Sequence, residues 1–176
     1  MKDQLENLKY PIGKFAKPEN IDITIIKSWI NTIMRFPEYL KNELKKLNEK
    51  DLEQTYRPNG WTIRQLVHHC ADSHMNSFIR FKLALTEDTP TIKPYLEDKW
   101  ALLADSVNMP IESSIKILEG LHQRWATLLA SLSREEMKKE FKNPETGNLL
   151  NIETAIGIYA WHCNHHLAHI INAKKR

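Results

Sequence analysis

The sequence predicts an all-α protein, a four-helix bundle. Three observations carry that expectation. Apolar residues recur at helical spacing in four long stretches, capping residues stand at the starts of helices, and no pair of segments reads as a strand hairpin. The 176 residues suffice for a core, and a single domain spanning 1–176 is expected.

Pro11, Gly13 and Pro18 mark residues 1–20 as an extended N-terminal arm. From about Asp22, the spacing of Ile25, Trp29, Ile33 and Phe36 predicts a helix. Pro37 predicts a kink or break in it, after which Tyr39, Leu40, Leu44 and Leu47 continue the apolar stripe. Arg57-Pro58-Asn59-Gly60 is a turn, and Thr62 with Gln65 forms a capping box for a second long helix reaching about Thr86. Pro90 and Pro94 make 86–96 a connection, followed by a short helix over Lys99–Asp105. Pro110 suits the first position of a third helix carrying Ile111, Ile115, Leu118, Leu121, Trp125, Leu128 and Leu129. Ser133 with Glu136 caps a brief helix, 144–148 is a turn, and Asn151 caps the last long helix.

The net charge of +3 is mild and its lysines and arginines are scattered among acids, so neither nucleic acid nor membrane is an expected partner. The first residues lack the apolar core of a secretory signal, and no run approaches the roughly 18 apolar residues of a bilayer span. With Cys70 and Cys163 alone, no disulfide framework is indicated; a cytoplasmic location is expected.

Chemistry is concentrated in the histidines. Four of the eight fall between His162 and His169, and His162/His166 and His165/His169 stand one helical turn apart. Ile152, Ala155, Tyr159, Ile170 and Ala173 share a stripe with His162 and His166 within it or at its margin, whereas His165 and His169 lie towards the polar side. Burying two imidazoles without partners costs roughly 1–3 kcal/mol each, and a metal ion would satisfy both. On the second helix, Ile63, Leu66, Cys70, Ser77 and Phe81 form the stripe; His74 lies nearest its centre, His69 at its edge and His68 further round. Burial alone leans to His74 as a third ligand and leaves His69 open. A lone buried histidine is more commonly a hydrogen-bonded core residue.

Gly60-Trp61-Thr62-Ile63-Arg64-Gln65-Leu66-Val67-His68-His69 resembles the second-helix motif of the DinB-like superfamily, in which a ligand histidine follows the tryptophan by eight residues. His162-x-x-x-His166 resembles its second motif. Tyr10-Pro11-Ile12-Gly13, Asp72-Ser73-His74-Met75-Asn76-Ser77, Arg80-Phe81-Lys82 and His122-Gln123-Arg124-Trp125 extend the likeness to the YfiT branch, over nearly the whole chain. That branch comprises metal-dependent hydrolases and bacillithiol S-transferases. The resemblance implies a metal held by His69, His162 and His166, places His68, His74, His165 and His169 in the surrounding pocket or surface, and implies a cytoplasmic homodimer.

Three neutral imidazoles leave a divalent ion, with zinc or nickel foremost, an open position for catalysis. Water there serves hydrolysis; a low-molecular-weight thiol serves S-transfer to an electrophile. The alternative is a metal-binding or sensor protein without turnover. No catalytic acid or base is evident. Asp72 is placed to orient an imidazole, Asn76 and Arg80 to meet a carboxylate-bearing small-molecule substrate, and Tyr95 with Trp100 to wall a pocket. Each also has an ordinary reading as a surface or core residue. Both cysteines lie in helical contexts with no dedicated base evident, so neither is read as a nucleophile.

Overall fold

The computed structural model describes residues 2–175. Four long helices form the bundle: α2 (Ile23–Leu44), α4 (Ile63–Thr86), α7 (Glu112–Ala130) and α9 (Ile152–Ala173). Short elements connect them: α1 (Lys2–Lys9), α3 (Glu49–Leu52), α5 (Glu97–Trp100), α6 (Ala104–Asn108), α8 (Arg134–Met137), and strands β1 (Glu140–Lys142) and β2 (Leu149–Asn151). Helix α2 packs against both α7 and α9, and α4 packs against the same two, closing a ring. Successive long helices α2 and α4 therefore sit across a diagonal, as do α7 and α9. The interior is filled by Trp125, Phe36, Phe81, Leu66, Ile33 and Leu118, all fully buried. No described helix is long and apolar enough to cross a membrane.

The predicted caps form. Thr62 accepts from the Gln65 amide at 3.2 Å while the Gln65 side chain accepts from the Thr62 amide at 3.0 Å. Ser133 and Glu136 repeat the box, and Asn151 accepts from the Thr154 amide at 2.9 Å.

Several expectations need correction. Lys2–Lys9 is helix, not extended arm: Pro11 and Gly13 come after eight residues rich in good helix formers. The short helix over Lys99–Asp105 is two helices, α5 and α6, and Pro110 precedes α7 instead of opening it. A hairpin does exist: β1 pairs antiparallel with β2, Phe141 opposite Leu150. Three-residue strands are too short to show a period. The turn between them carries Gly147 at φ +70°, where a glycine costs least. The same hairpin pins the connection before α5, since the Ile92 amide donates to the Lys142 carbonyl at 3.0 Å.

Of the kink or break expected at Pro37, the break does not occur: Pro37 lies inside α2, which runs continuously from Ile23 to Leu44. Proline lacks the amide that would bond the carbonyl four residues back, so the Ile33 carbonyl is left without its helical partner. His122 of α7 donates its Nδ1–H to that carbonyl. The helix continues because a neighbour satisfies the group that proline abandons.

Candidate metal centre

His69 sits in the second turn of α4, and His162 and His166 stand one turn apart on α9, the helix packed beside it. One ligand atom from each of the three lies within 4.8 Å of the others. The ring centroids of His69 are 5.5 Å from His162 and 4.9 Å from His166. His162 and His166 bring their Nε2 atoms to 3.2 Å. A tetrahedral ion with nitrogen ligands at about 2.0–2.1 Å spaces those ligands by about 3.3 Å, so the α9 pair is already at coordination distance.

Burial keeps these imidazoles neutral, as ligands must be. Desolvation lowers His69 to about 4. It also drives His162 and His166 well below the usual histidine range, with neighbouring imidazoles adding to the effect. Two neutral rings facing each other nitrogen to nitrogen want a cation between them. The donor set of three neutral nitrogens fits a divalent transition metal with an open position.

A cleft of about 290 Å³ opens onto this cluster. Lys9, Tyr10, Tyr56, Arg57, Trp61 and Trp161 line it with the histidines, and Glu97 and Asp98 are the carboxylates in its wall. Trp61 packs on the His69 ring at 4.6 Å, and Trp161 stacks on His165 at 4.4 Å. Burial and the adjacent Asp98 raise the Glu97 carboxyl above its ordinary range. A larger groove of about 710 Å³ between α2 and α7 contains no histidine.

The remaining histidines are buried. His68 bonds Ser114 Oγ at 2.8 Å and the Met109 carbonyl at 3.2 Å, a satisfied core residue. His74, which burial had favoured as a ligand, has both ring nitrogens engaged: Nδ1 with His122 Nε2 at 2.7 Å, Nε2 with His162 Nδ1 at 2.9 Å. His165 and His169, expected towards the polar side, are 7% and 2% exposed. The N-terminal segment covers them: His169 Nε2 meets the Lys9 carbonyl at 3.1 Å, and Tyr10 packs on His165. His169 Nδ1 approaches His166 Nδ1 at 3.4 Å. The buried Nδ1 of His165 has no partner among the described residues.

Among the described residues, two further clusters have metal-ligand types in reach, His74/His122/Cys163 and His165/His166/His169. In the first, both imidazoles spend all four nitrogens on hydrogen bonds, and burial holds the Cys163 thiol well above its usual range, hence protonated. In the second, His166 already belongs to the α4–α9 triad and His169 is turned to the Lys9 carbonyl.

Of the other sequence candidates, none lines this cleft. Asn76 donates to the Asp72 carbonyl within its own helix, and Arg80 donates to the Lys93 carbonyl. The Asp72 carboxyl, raised to about 6 by burial and by Asp105, bonds no histidine among the described residues. Tyr95 packs on Trp100 at 4.7 Å. Sequence reasoning missed Glu97, Asp98, Tyr10, Tyr56 and Arg57 at the cleft. Their positions depend on connections and the N-terminal segment folding over α9, for which no periodicity exists. His122 was visible only as part of a motif, although Pro37 flagged an orphaned carbonyl.

The chain belongs to the DinB superfamily, whose family model matches residues 33–170. Within it the likeness is to the YfiT branch. The structure of YfiT from Bacillus subtilis, described as a probable metal-dependent hydrolase with an unusual four-helix bundle topology, superposes with a TM-score of 0.94 at 44% identity over 97% of both chains. A provisionally named metal-dependent hydrolase of Bacillus cereus strain 03BB102 is 51% identical over 172 residues, 98% of each chain. One from Oceanobacillus iheyensis is 52% identical over 170 residues, covering 97% of this chain and 98% of its own. A mycothiol-dependent maleylpyruvate isomerase shares the fold alone, with a TM-score of 0.60 at 14% identity, covering 80% of this chain and 60% of its own.

Proposed function

We propose that this chain is a metal-dependent enzyme whose divalent ion, zinc or nickel, is held by His69, His162 and His166. The observation that carries the reading is the 3.2 Å approach of the His162 and His166 Nε2 atoms beside His69, at the floor of a cleft. The hydrolase names of relatives about half identical to it support the same class. Bound there, an ion with an open position supplies Lewis acidity that favours the ionised form of water or of a small thiol. Glu97 or Asp98 takes the proton, being the carboxylates in the wall, with Glu97 raised towards the range useful for a general base. Trp61, Trp161, Tyr10 and Tyr56 supply apolar walls for a small-molecule substrate, and Arg57, Lys9 and the unpartnered His165 Nδ1 supply polar contacts.

Hydrolysis of an ester or amide and S-transfer from a low-molecular-weight thiol to an electrophilic carbon both suit this site. A homodimer fits the exposed apolar run of Leu96, Leu102, Leu103, Val107 and Met109, and a cytoplasmic setting fits two buried free thiols. The test is chemical. Protein purified without chelators is analysed for metal, then assayed with ester and amide panels and, separately, with small thiols plus a generic electrophile. Stoichiometric metal and turnover, both abolished in folded His69→Ala and His166→Ala, establish the enzyme. Metal without turnover in any panel favours a binding or sensor protein.

A further inference from the structure

Two lines of hydrogen-bonded imidazoles lead into the cluster from opposite sides, and each ends on a backbone carbonyl. A carbonyl only accepts, so it fixes the proton on every ring in its line. On one side, the Ile33 carbonyl, released by Pro37, takes the Nδ1–H of His122. His122 Nε2 is then a bare lone pair and accepts the Nδ1–H of His74 at 2.7 Å. His74 Nε2 in turn accepts the Nδ1–H of His162 at 2.9 Å. On the other side, the Lys9 carbonyl at the end of α1, where no helical amide reaches it, takes the Nε2–H of His169. His169 Nδ1 then accepts the Nδ1–H of His166 at 3.4 Å.

Both lines direct the His162 and His166 protons to Nδ1 and turn Nε2 lone pairs to one point; the competing arrangement is a proton on one Nε2, shared across their 3.2 Å approach. We propose that His122, His74 and His169 are positioning residues that set the ligand tautomers of this site before any metal arrives. The Ile33 and Lys9 carbonyls fix the direction of each line. His122 touches neither His69, His162 nor His166 by hydrogen bond, yet its loss propagates. Without the His122 acceptor, His74 is free to move its proton to Nε2, where it opposes the His162 Nδ1–H. Relief of that clash puts the His162 proton on Nε2 and blocks a ligand. The His74/His122/Cys163 cluster is on this account a proton-ordering device, with no lone pair left for an ion of its own.

This inference rests on the metal reading above, and its test separates the two. The first measurement uses metal-free wild-type protein, ¹⁵N-labelled, with long-range ¹H–¹⁵N correlation of the imidazoles at pH 7.5. The expected pattern is Nδ1–H for His74, His122, His162 and His166, and Nε2–H for His169. A mixture, or Nε2–H at His162 or His166, overturns the proposal whatever the affinity for metal. The second measurement is zinc affinity by chelator competition for wild type, His122→Phe and His169→Phe, with folding checked by circular dichroism. A loss of roughly 10–100-fold is expected, accompanied in His122→Phe by movement of the His162 proton to Nε2. Affinity within twofold of wild type in the folded variants overturns it. Should a variant fail to fold, the wild-type spectra decide. Wild type that orders its tautomers as expected but binds no zinc sinks the metal reading and leaves the ordering standing. Two zinc ions per chain would contradict the assignment of His74 and His122.

Discussion

Acid should unfold the metal-free protein well above the pH at which most domains fail, and the structure sets the size of the effect. His69 and His122 are lowered to about 4, and His74, His162 and His166 well below the ordinary 6.5, all chiefly by burial. Between those folded values and about 6.5 the unfolded chain binds protons that the native chain refuses. Stability is therefore intact above about pH 6.5 and falls as the pH drops. At pH 5.5, protonating one released imidazole favours the unfolded chain by on the order of 1 kcal/mol, so the five, all shifted in the same direction, together withdraw several kcal/mol. That is comparable with the whole stability of a domain, roughly 5–15 kcal/mol. The assay is near-ultraviolet circular dichroism and tryptophan fluorescence across pH 8 to 4, with chelator or with excess zinc. Metal-free protein should lose its native signal cooperatively between about pH 6 and 5. Zinc, binding only the native state, should move the midpoint lower, adding about 2.7 kcal/mol at a hundredfold excess over Kd. Metal-free protein that keeps its melting temperature from pH 7.5 to pH 4.5 would show that these histidines are not buried and neutral in the native state.

Other outcomes follow from individual contacts. Gly157→Ala places a Cβ 2.8 Å from the Trp29 ring and 3.0 Å from Phe15, and should cost about 1–3 kcal/mol, read as a lowered melting temperature. Cys70 and Cys163 are fully buried with thiols raised by desolvation, so a thiol reagent at pH 8 should leave both unmodified in native protein and label both in denaturant. Glu97→Gln should lower kcat by roughly 10²–10⁴-fold while bound metal is retained; activity unchanged by this substitution and by Asp98→Asn would remove the carboxylates from the proton transfer. His68→Gln, which breaks contacts to Ser114 and Met109 only, should lower stability by about 1 kcal/mol and leave zinc affinity within twofold.

The bundle was legible because its four long helices each carry an amphipathic period and most carry a cap in the sequence. The α9 pair was legible for the same reason: a spacing of four is a geometric statement once the helix is granted. Which α4 histidine clusters with both members of that pair was not, since the α4 period ranks His74 above His69, and His74 is indeed the more buried. Burial and availability differ here, because both nitrogens of His74 are consumed by other imidazoles while the His69 ring faces the cleft. The family likeness chose His69 where the period could not. His165 and His169 were misplaced because a helical wheel knows nothing of the N-terminal segment that folds across α9. Pro37 predicted a kink or break, and that no break occurs was not legible because the donor that rescues its carbonyl lies 85 residues further along, on α7.

X-ray absorption at the edge of the bound metal tests the central claim most directly. Three imidazoles of His69, His162 and His166 predict one ion per chain, a shell of nitrogen and oxygen at about 2.0–2.1 Å with multiple scattering from histidine rings, and no sulfur. A sulfur shell near about 2.3 Å would draw Cys163 and its neighbours into the site and contradict the account, as would protein that takes up no stoichiometric transition metal.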